Sequence, residues 1–439
     1  MQSNSTTMKL MYRRLLIFSA KILIRALRLT GTSGSALPGR IIERLYPNFL
    51  TKVLKPVEKK IILVTGTNGK TTTTKMLVQV LRGTGKRVVT NGTGSNMTRG
   101  LISALVEDMT YLGDLKVTDW FIFEMDEAYV PFFTENLSPH LTLGLNVLRD
   151  QLDRYGEIDT TAKYIASAAE KSDMFVFNQI DPLLNRVSKK LPSSVDLVSF
   201  GVAEKLFDRV TNEQTIHKNE VVAPENDPNI LLCDTSDIDS RLWVTIESRE
   251  LGDRWQMDVP LQGFHNAVNV TAVVAVLNAI GSVTTESIVK HLKNMQTPFG
   301  RGERLKIKNS YFTVALIKNP SGFTSNIRTF IQESMPDTVL FVINDNLADG
   351  RDVSWLWDVT FKGMIPIGTE LLTSGIRGAD MALRLKQDGF KAEFIPNVHD
   401  AILRLSEAKA ENITIIPTYT ALFEVRSELS KYTKVPNIW

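Results

Sequence analysis

Cysteine is almost absent from this 439-residue chain: Cys233 stands alone, and histidines number five. One thiol can form neither an internal disulfide nor a thiolate zinc cluster, which implies a reducing compartment, the cytoplasm. Cys233 lies in "NILLCDTSD", without the setting of a nucleophile, and reads as a buried bystander. Net charge is also small. With 51 Lys+Arg against 48 Asp+Glu the chain carries +3, which leaves no electrostatic footprint for nucleic acid. Long apolar runs are missing near the N-terminus: in "RRLLIFSAKILIRALRL" the longest uncharged stretch is Leu15 to Ala20. That is far short of the ~20 residues that span a bilayer, and no small-residue cleavage site follows it. Acids are missing before Glu43, although Lys9, Arg13, Arg14, Lys21, Arg25, Arg28 and Arg40 precede it. On a helix Arg14, Lys21, Arg25 and Arg28 share a face. Either that face rests on an anionic membrane surface, or it faces water from a helix packed on the body.

What is present is an ordinary globular composition, 43% apolar and 23% charged. The basic helix and the first part of a Gly/Ser/Pro link, "GTSGSALPGR", occupy residues 1–37. Short apolar runs then alternate with helical stretches. "KKIILVTG", "KRVVTNG", "DWFIFEM", "HLTLGLN" and "DMFVFNQ" read as strands, and "KTTTTKMLVQVLRGTG" as a helix. The pattern is α/β with a mostly parallel sheet. Residues 201–258 break the rhythm: a polar irregular stretch precedes "RLWVTIESRELGDRWQMDVPL", which alternates like an antiparallel hairpin. A small-residue helix follows, and near "TPFGRGERLK" the pattern resets. "YFTVALIKN", "TVLFVIND", "EFIPN" and "NITIIPT" open a second α/β set, so a boundary is expected around residue 303.

Four stretches carry chemistry. "VTGTNGKTTTTKM" places a glycine-containing loop between a strand and a helix, where backbone N–H groups and a helix N-terminus meet phosphate oxygens. Lys70 would reach the β/γ-phosphates and Thr71 a Mg²⁺ ion. Val64 stands where the standard loop pattern has glycine. "FIFEMDEA" puts Glu124, Asp126 and Glu127 beyond a strand; Glu124, at the strand end itself, is best placed to hold a metal. In "LNVLRDQLDRYG", Asn146 ends a strand and Asp150 and Asp153 follow, which also fits a capped helix start. "GFHNAVNVTAVVAV" sets Asn266 and Asn269 on one helical face, where amides can read an adenine edge or simply begin a helix.

In order, "GTNGKTT", Glu124, "LNVLRDQLDRYG", "FNQIDP", "HNAVN" and "GRGER" resemble the Mur ligases, with folylpolyglutamate synthases sharing much of the pattern. The C-terminal strings "LIKNPSGFTSNI", "INDNLADGRDVSWLWD", "TSGIRGADMALRLK" and "IPTYTAL" are similar to the MurT family, synthetase subunits of lipid II isoglutaminyl synthases. The resemblance implies a Mur-ligase-type central ATP-binding domain over 38–303 and a MurT-type, Rossmann-like C-terminal domain over 304–439. It implies ATP-dependent amidation of the D-glutamate α-carboxylate of the lipid II stem peptide through an acyl phosphate, with ammonia from a GatD-type glutamine amidotransferase partner. The site residues it implies are Thr67, Asn68, Gly69, Lys70, Thr71 and Thr72 on the phosphates, Glu124 with Thr71 on Mg²⁺, Asn266 and Asn269 on adenine, and Arg301 near the phosphates. Asp352, last of "DGRD", matches an aspartate that completes the partner's Cys–His pair; taken alone it fits a residue bonded to Arg351 or a local turn. Many family members carry a four-cysteine zinc ribbon; the corresponding region, about 201–240, has only Cys233 and His217, so no zinc is expected. Gln151 stands where ordinary Mur ligases have histidine, which puts a second Mg²⁺ in question. An amino-acid ligase and a nonenzymatic nucleotide-binding scaffold are the competing readings.

Overall fold

A computed structural model describes residues 2–29, 37–91, 97–149, 158–210, 223–249, 252–295 and 300–435, with side chains in the first segment from 14 to 27. Asp150, Gln151, Asp153 and His217 lie outside the described residues.

The first sheet contains β1 (Ile61–Thr65), β2 (Val88–Thr90), β3 (Trp120–Glu124), β4 (Leu141–Gly144), β5 (Met174–Asn178), β6 (Asp196–Val202), β7 (Ile230–Ile238), β8 (Arg241–Ser248) and β9 (Asp253–Val259). Their order is β2-β3-β1-β4-β5-β6-β7-β8-β9. Pairing is parallel from β2 to β7 and antiparallel across β7-β8-β9. The predicted hairpin is thus β8-β9. β7, between the polar irregular stretch and this hairpin, is a strand that the alternation does not mark, and it joins the hairpin to the parallel strands.

The unbroken apolar string of β1 reflects burial on both faces, as a central parallel strand requires. Ile62 and Val64 face a core formed with the Lys70–Gly83 and Phe264–Ala279 helices. Ile61 and Leu63 face the opposite core, with Phe121, Phe123 and the Leu37–Leu45 and Thr98–Asp108 helices. The Phe264–Ala279 helix is buried nearly all round, which explains its Ala/Val composition: small side chains let it lie close on the sheet.

The second sheet, β10 (Arg301–Ile307), β11 (Ser310–Ala315), β12 (Thr338–Val342), β13 (Glu370–Ser374), β14 (Glu393–Phe394) and β15 (Asn412–Pro417), runs in the order β10-β11-β15-β12-β13-β14. Only β10-β11 is antiparallel. Glu303 of β10 pairs with buried Arg426 on the Tyr419–Leu429 helix. In the first sheet β1 lies between β3 and β4, so strand order reverses there. The loops at the carboxyl ends of these three strands open into the crevice where such sheets collect ligands.

Candidate functional site

Thr67 and Asn68 shape the loop between β1 and the Lys70–Gly83 helix. The Thr67 amide donates to the Asn146 carbonyl at 3.0 Å, and the Asn68 amide to Asn146 Oδ1 at 2.8 Å. Asn146 Nδ2 returns a bond to the Asn68 carbonyl at 3.0 Å. Thr67 Oγ1 accepts from the Leu148 amide at 3.0 Å. In this structure the Thr67 and Asn68 amides therefore hold the loop on the end of β4. The helix that follows has Gly69 as its N-cap and no side-chain cap bond, which leaves its first-turn N–H groups to an anion. Gly69 has φ of 89°, and a Cβ there would lie 2.4 Å from Asn269 Oδ1. Only glycine permits both that turn and so close an approach of the Phe264–Ala279 helix.

Lys70 and Glu127 form an ion pair at 3.0 Å with side chains only 5% and 4% exposed. The ammonium also donates to the carbonyls of Gly66 at 2.5 Å and Thr67 at 3.2 Å. Burial works against its charge, but Glu127, Asp126 and Glu124 outweigh burial and hold its pKa above the usual lysine value. Beside it, Thr71 Oγ1 donates to Glu124 Oε1 at 2.9 Å. Asn91 fixes the Glu124 backbone with bonds to both its amide and its carbonyl. Burial raises the Glu124 pKa, opposed by Lys70, Thr71, Lys318 and Arg301. Arg301 itself is held below its usual value by burial, with Glu124 opposing. A cation from the first strand of the second sheet thus acts on a carboxylate of the first.

The donor set fits a hard cation. The Thr71 hydroxyl and the Glu124 carboxylate are adjacent oxygen ligands, and Mg²⁺ takes one or two protein ligands with phosphates and water completing its shell. Among the described residues no cluster of three or more His, Cys, Asp or Glu could hold a metal by itself.

A cavity of about 610 Å³ opens from this point, lined by Asn68, Gly69, Asn269, Phe264, His265 and Arg328 among others. Its size suits a drug-sized or nucleotide ligand. Asn269 Nδ2 donates to Asn266 Oδ1 at 3.3 Å, and Asn266 Nδ2 to the Gln262 carbonyl at 2.7 Å. Asn269 thus lines the cavity, and Asn266 positions it from behind. Thr72 is buried on the inner side of its helix, 4% exposed. Asp352 is not among these residues: it lies between β12 and β13, half-buried, and its Oδ1 accepts from the Ser354 amide at 2.8 Å.

Three features are beyond what the sequence reading selected. Glu127, rather than Glu124, is the ion-pair partner of Lys70. Asn319 exchanges two side-chain bonds with Asn68, at 3.0 and 3.3 Å, and so ties the phosphate loop to the second sheet's domain. His265, next to Asn266, has its pKa pushed down to about 4 by burial and by Arg301, so a neutral imidazole lines the cavity at pH 7. The "HN" dipeptide was the only signal for it.

Asp237 gives a pH prediction. Its two oxygens accept from the Gly263 amide, at 3.2 and 3.0 Å, just before the Phe264–Ala279 helix. Burial, assisted by Glu333, pushes its pKa up to about 6 against these bonds and Arg209. A raised carboxyl contributes stability that is present below its unfolded pKa and lost as pH rises through about 6. Asp237→Asn keeps the shape without the charge. It should flatten the decline in stability between about pH 4 and 7, a change of roughly 2–3 kcal/mol in urea unfolding. An unchanged pH slope would mean that Asp237 titrates normally.

Comparison with known proteins follows the same division. Residues 64–277 match the family model for the Mur ligase middle domain, and 316–422 that for the MurT ligase C-terminal domain. A protein of Streptococcus pneumoniae named lipid II isoglutaminyl synthase (glutamine-hydrolyzing) subunit MurT is 28% identical over 90% of this chain and 92% of its own. Its Staphylococcus aureus namesake (strain COL) is 26% identical over 94% and 97%. Among solved structures, MurF of Acinetobacter baumannii superposes with a TM-score of 0.67 at 16% identity, covering 87% of this chain and 79% of that one. A Mycobacterium tuberculosis folylpolyglutamate synthase complexed with ADP and AMPPCP superposes at 0.62 with 13% identity, over 92% of this chain and 100% of its own. At such identities these two structures establish the fold, which is that of the Mur ligases.

Proposed function

Starting from a chain that carries a Mur ligase middle domain followed by a MurT C-terminal domain, we propose that it is the ATP-dependent synthetase subunit of a lipid II isoglutaminyl synthase. The observation that carries this reading is the tandem of the two matches, supported by the buried Lys70–Glu127 and Thr71–Glu124 pairs at the phosphate loop. The substrate is the D-glutamate α-carboxylate of the lipid II stem peptide. The partner is a glutamine amidotransferase of the GatD type, and the setting is the cytoplasm.

A carboxylate is a poor electrophile, so it needs a leaving group before an amide can form. One carboxylate oxygen attacks the γ-phosphorus of ATP and the bond to the β-phosphate oxygen breaks, giving an acyl phosphate and ADP. Ammonia then adds to the acyl carbon, phosphate departs, and the nitrogen loses a proton. Positioning and charge neutralisation carry most of the barrier reduction in such a transfer. Lys70 and the first-turn amides of its helix bind the β- and γ-phosphates, and Glu127 keeps Lys70 charged and aimed. Thr71 and Glu124 would hold Mg²⁺, which would supply neutralisation of the phosphate charge. Arg301 brings a second cation to the transferring group, and Asn269 meets the adenine edge.

The test is an assay of the purified chain with ATP, Mg²⁺, lipid II and ammonium. Amide formation with stoichiometric ADP is expected. If only an amino acid serves as the acceptor amine, the chain is an amino-acid ligase instead.

A further inference from the structure

The N-terminal helix, Gln2–Leu29, packs on the Leu37–Leu45 and Thr98–Asp108 helices through a narrow face. Among its described side chains Ile17 and Ala20 are buried, with Leu16 and Ile24 packed part-way. The opposite face exposes Leu15 (65%), Phe18 (45%) and Ile22 (52%). At ~100° per residue these three fall within an arc of ~60°, with Arg14 and Arg25 along one flank. The apolar strip continues onto the body: the Phe18 ring meets that of Tyr111 at 6.0 Å, and exposed Leu112 follows Tyr111. Lys21 and Arg25 sit over the Tyr111 ring at 5.3 and 5.4 Å, and Lys21 donates to the Glu107 carbonyl at 2.8 Å.

Charge around the strip is uneven. Burial lowers the Lys21 pKa, with Lys116 and Arg25 adding to it, while Asp108 and Glu107 oppose. Of these acids Asp108 is paired with Arg87, and Asp114 is exposed on the same loop. The helix itself contributes none, since no acid precedes Glu43. An exposed apolar strip alone would suit a protein partner equally well. The basic flank, to which the helix adds no acid, favours a surface of negative charge, and an apolar band with cations beside it is the pattern of a helix lying in a bilayer interface. No helix among the described residues is long and apolar enough to cross a membrane.

We infer that this face docks on a bilayer of anionic lipid, with Leu15, Phe18 and Ile22 among the acyl chains and Arg14, Lys21 and Arg25 on the headgroup phosphates. The inference rests on the proposed function in one respect: a substrate held in the leaflet would be met there.

The experiment is co-sedimentation of the full chain, with its glutaminase partner, on vesicles of phosphatidylcholine alone or with about a third phosphatidylglycerol. Binding to the anionic vesicles only is expected, weakening as salt is raised. Phe18→Glu/Ile22→Glu and Arg14→Glu/Arg25→Glu should each weaken it at least ~10-fold with unchanged circular dichroism and thermal melting. Both variants should retain amidation of a lipid II analogue with a short, water-soluble prenyl chain. Absence of wild-type binding, equal binding to both vesicle types, or full binding by folded variants would overturn the inference. Anionic-vesicle binding by a wild-type chain that cannot amidate the soluble analogue supports docking and counts against the proposed function alone.

Discussion

Replacing Lys70 with alanine should reduce ATP-dependent amidation by at least roughly 10²–10³-fold, because it removes the one cation buried within the phosphate loop. The loss has two physical components that a second variant separates. Lys70 bonds the Gly66 and Thr67 carbonyls and the Glu127 carboxylate, all inside the protein. Its removal leaves Glu127 charged and unpaired in a buried site, which costs about 3–5 kcal/mol of stability. Lys70→Met/Glu127→Gln removes both charges and should recover most of that stability without recovering activity. Thermal melting and amidation assays on both variants, with glutaminase binding as the control, read the two components separately. Wild-type rates from either folded variant would refute the proposed mechanism.

Asp352→Ala should lower glutamine-dependent amidation by roughly 10³–10⁴-fold, as loss of the carboxylate behind a catalytic histidine does, while ammonium-dependent amidation persists. The local structure makes the separation sharp. Asp352 is half-buried and bonds the Ser354 amide two residues away, so its removal costs about 1 kcal/mol at most. Its neighbour Asp349 is the contrast: its carboxylate accepts from the Thr420 amide and, through the other oxygen, from the Asn346 amide, and also bonds the Thr420 hydroxyl, which pins the loop to the Tyr419–Leu429 helix. Loss of Asp349 should therefore lower both activities through folding. If Asp352→Ala lowers them in parallel, Asp352 serves the synthetase site or the loop, and not the partner.

Much of the architecture was legible because parallel strands buried on both faces advertise themselves. β1, β3, β4, β5, β12 and β15 each follow an apolar run, and the Phe264–Ala279 helix shows in its Ala/Val string. The strands that escaped notice do not have that signature. β6, "DLVSFGV", is exposed at its first two residues, and β7, "ILLCDTSDI", loses its apolar character after Leu232 where it turns to the antiparallel edge. β13, "ELLTS", is five residues bounded by an exposed glutamate.

The site divides in the same way. The loop "GTNGKTT" is a contiguous string, so composition and order were enough to place it between β1 and the Lys70–Gly83 helix. Which acid meets Lys70 was a different question. Asp126 and Glu127 both stand within three residues of Glu124, and their order says nothing about which reaches across 57 residues of chain to the ammonium. Asn146 could have been an ordinary cap, and Asn319 lies 251 residues from the Asn68 it bonds.

From the sequence alone came the α/β alternation, the glycine loop between a strand and a helix, the strand-end carboxylate and the unequal charge of the N-terminal helix, all of which reside in neighbouring residues. Folding alone decided that Glu127 neutralises Lys70, that Asn266 serves Asn269, that Arg301 acts on Glu124 and that Leu15, Phe18 and Ile22 face outward. The reason is that pairing and exposure depend on sheet register and helix packing, which bring together groups that many other arrangements of the same residues would keep apart.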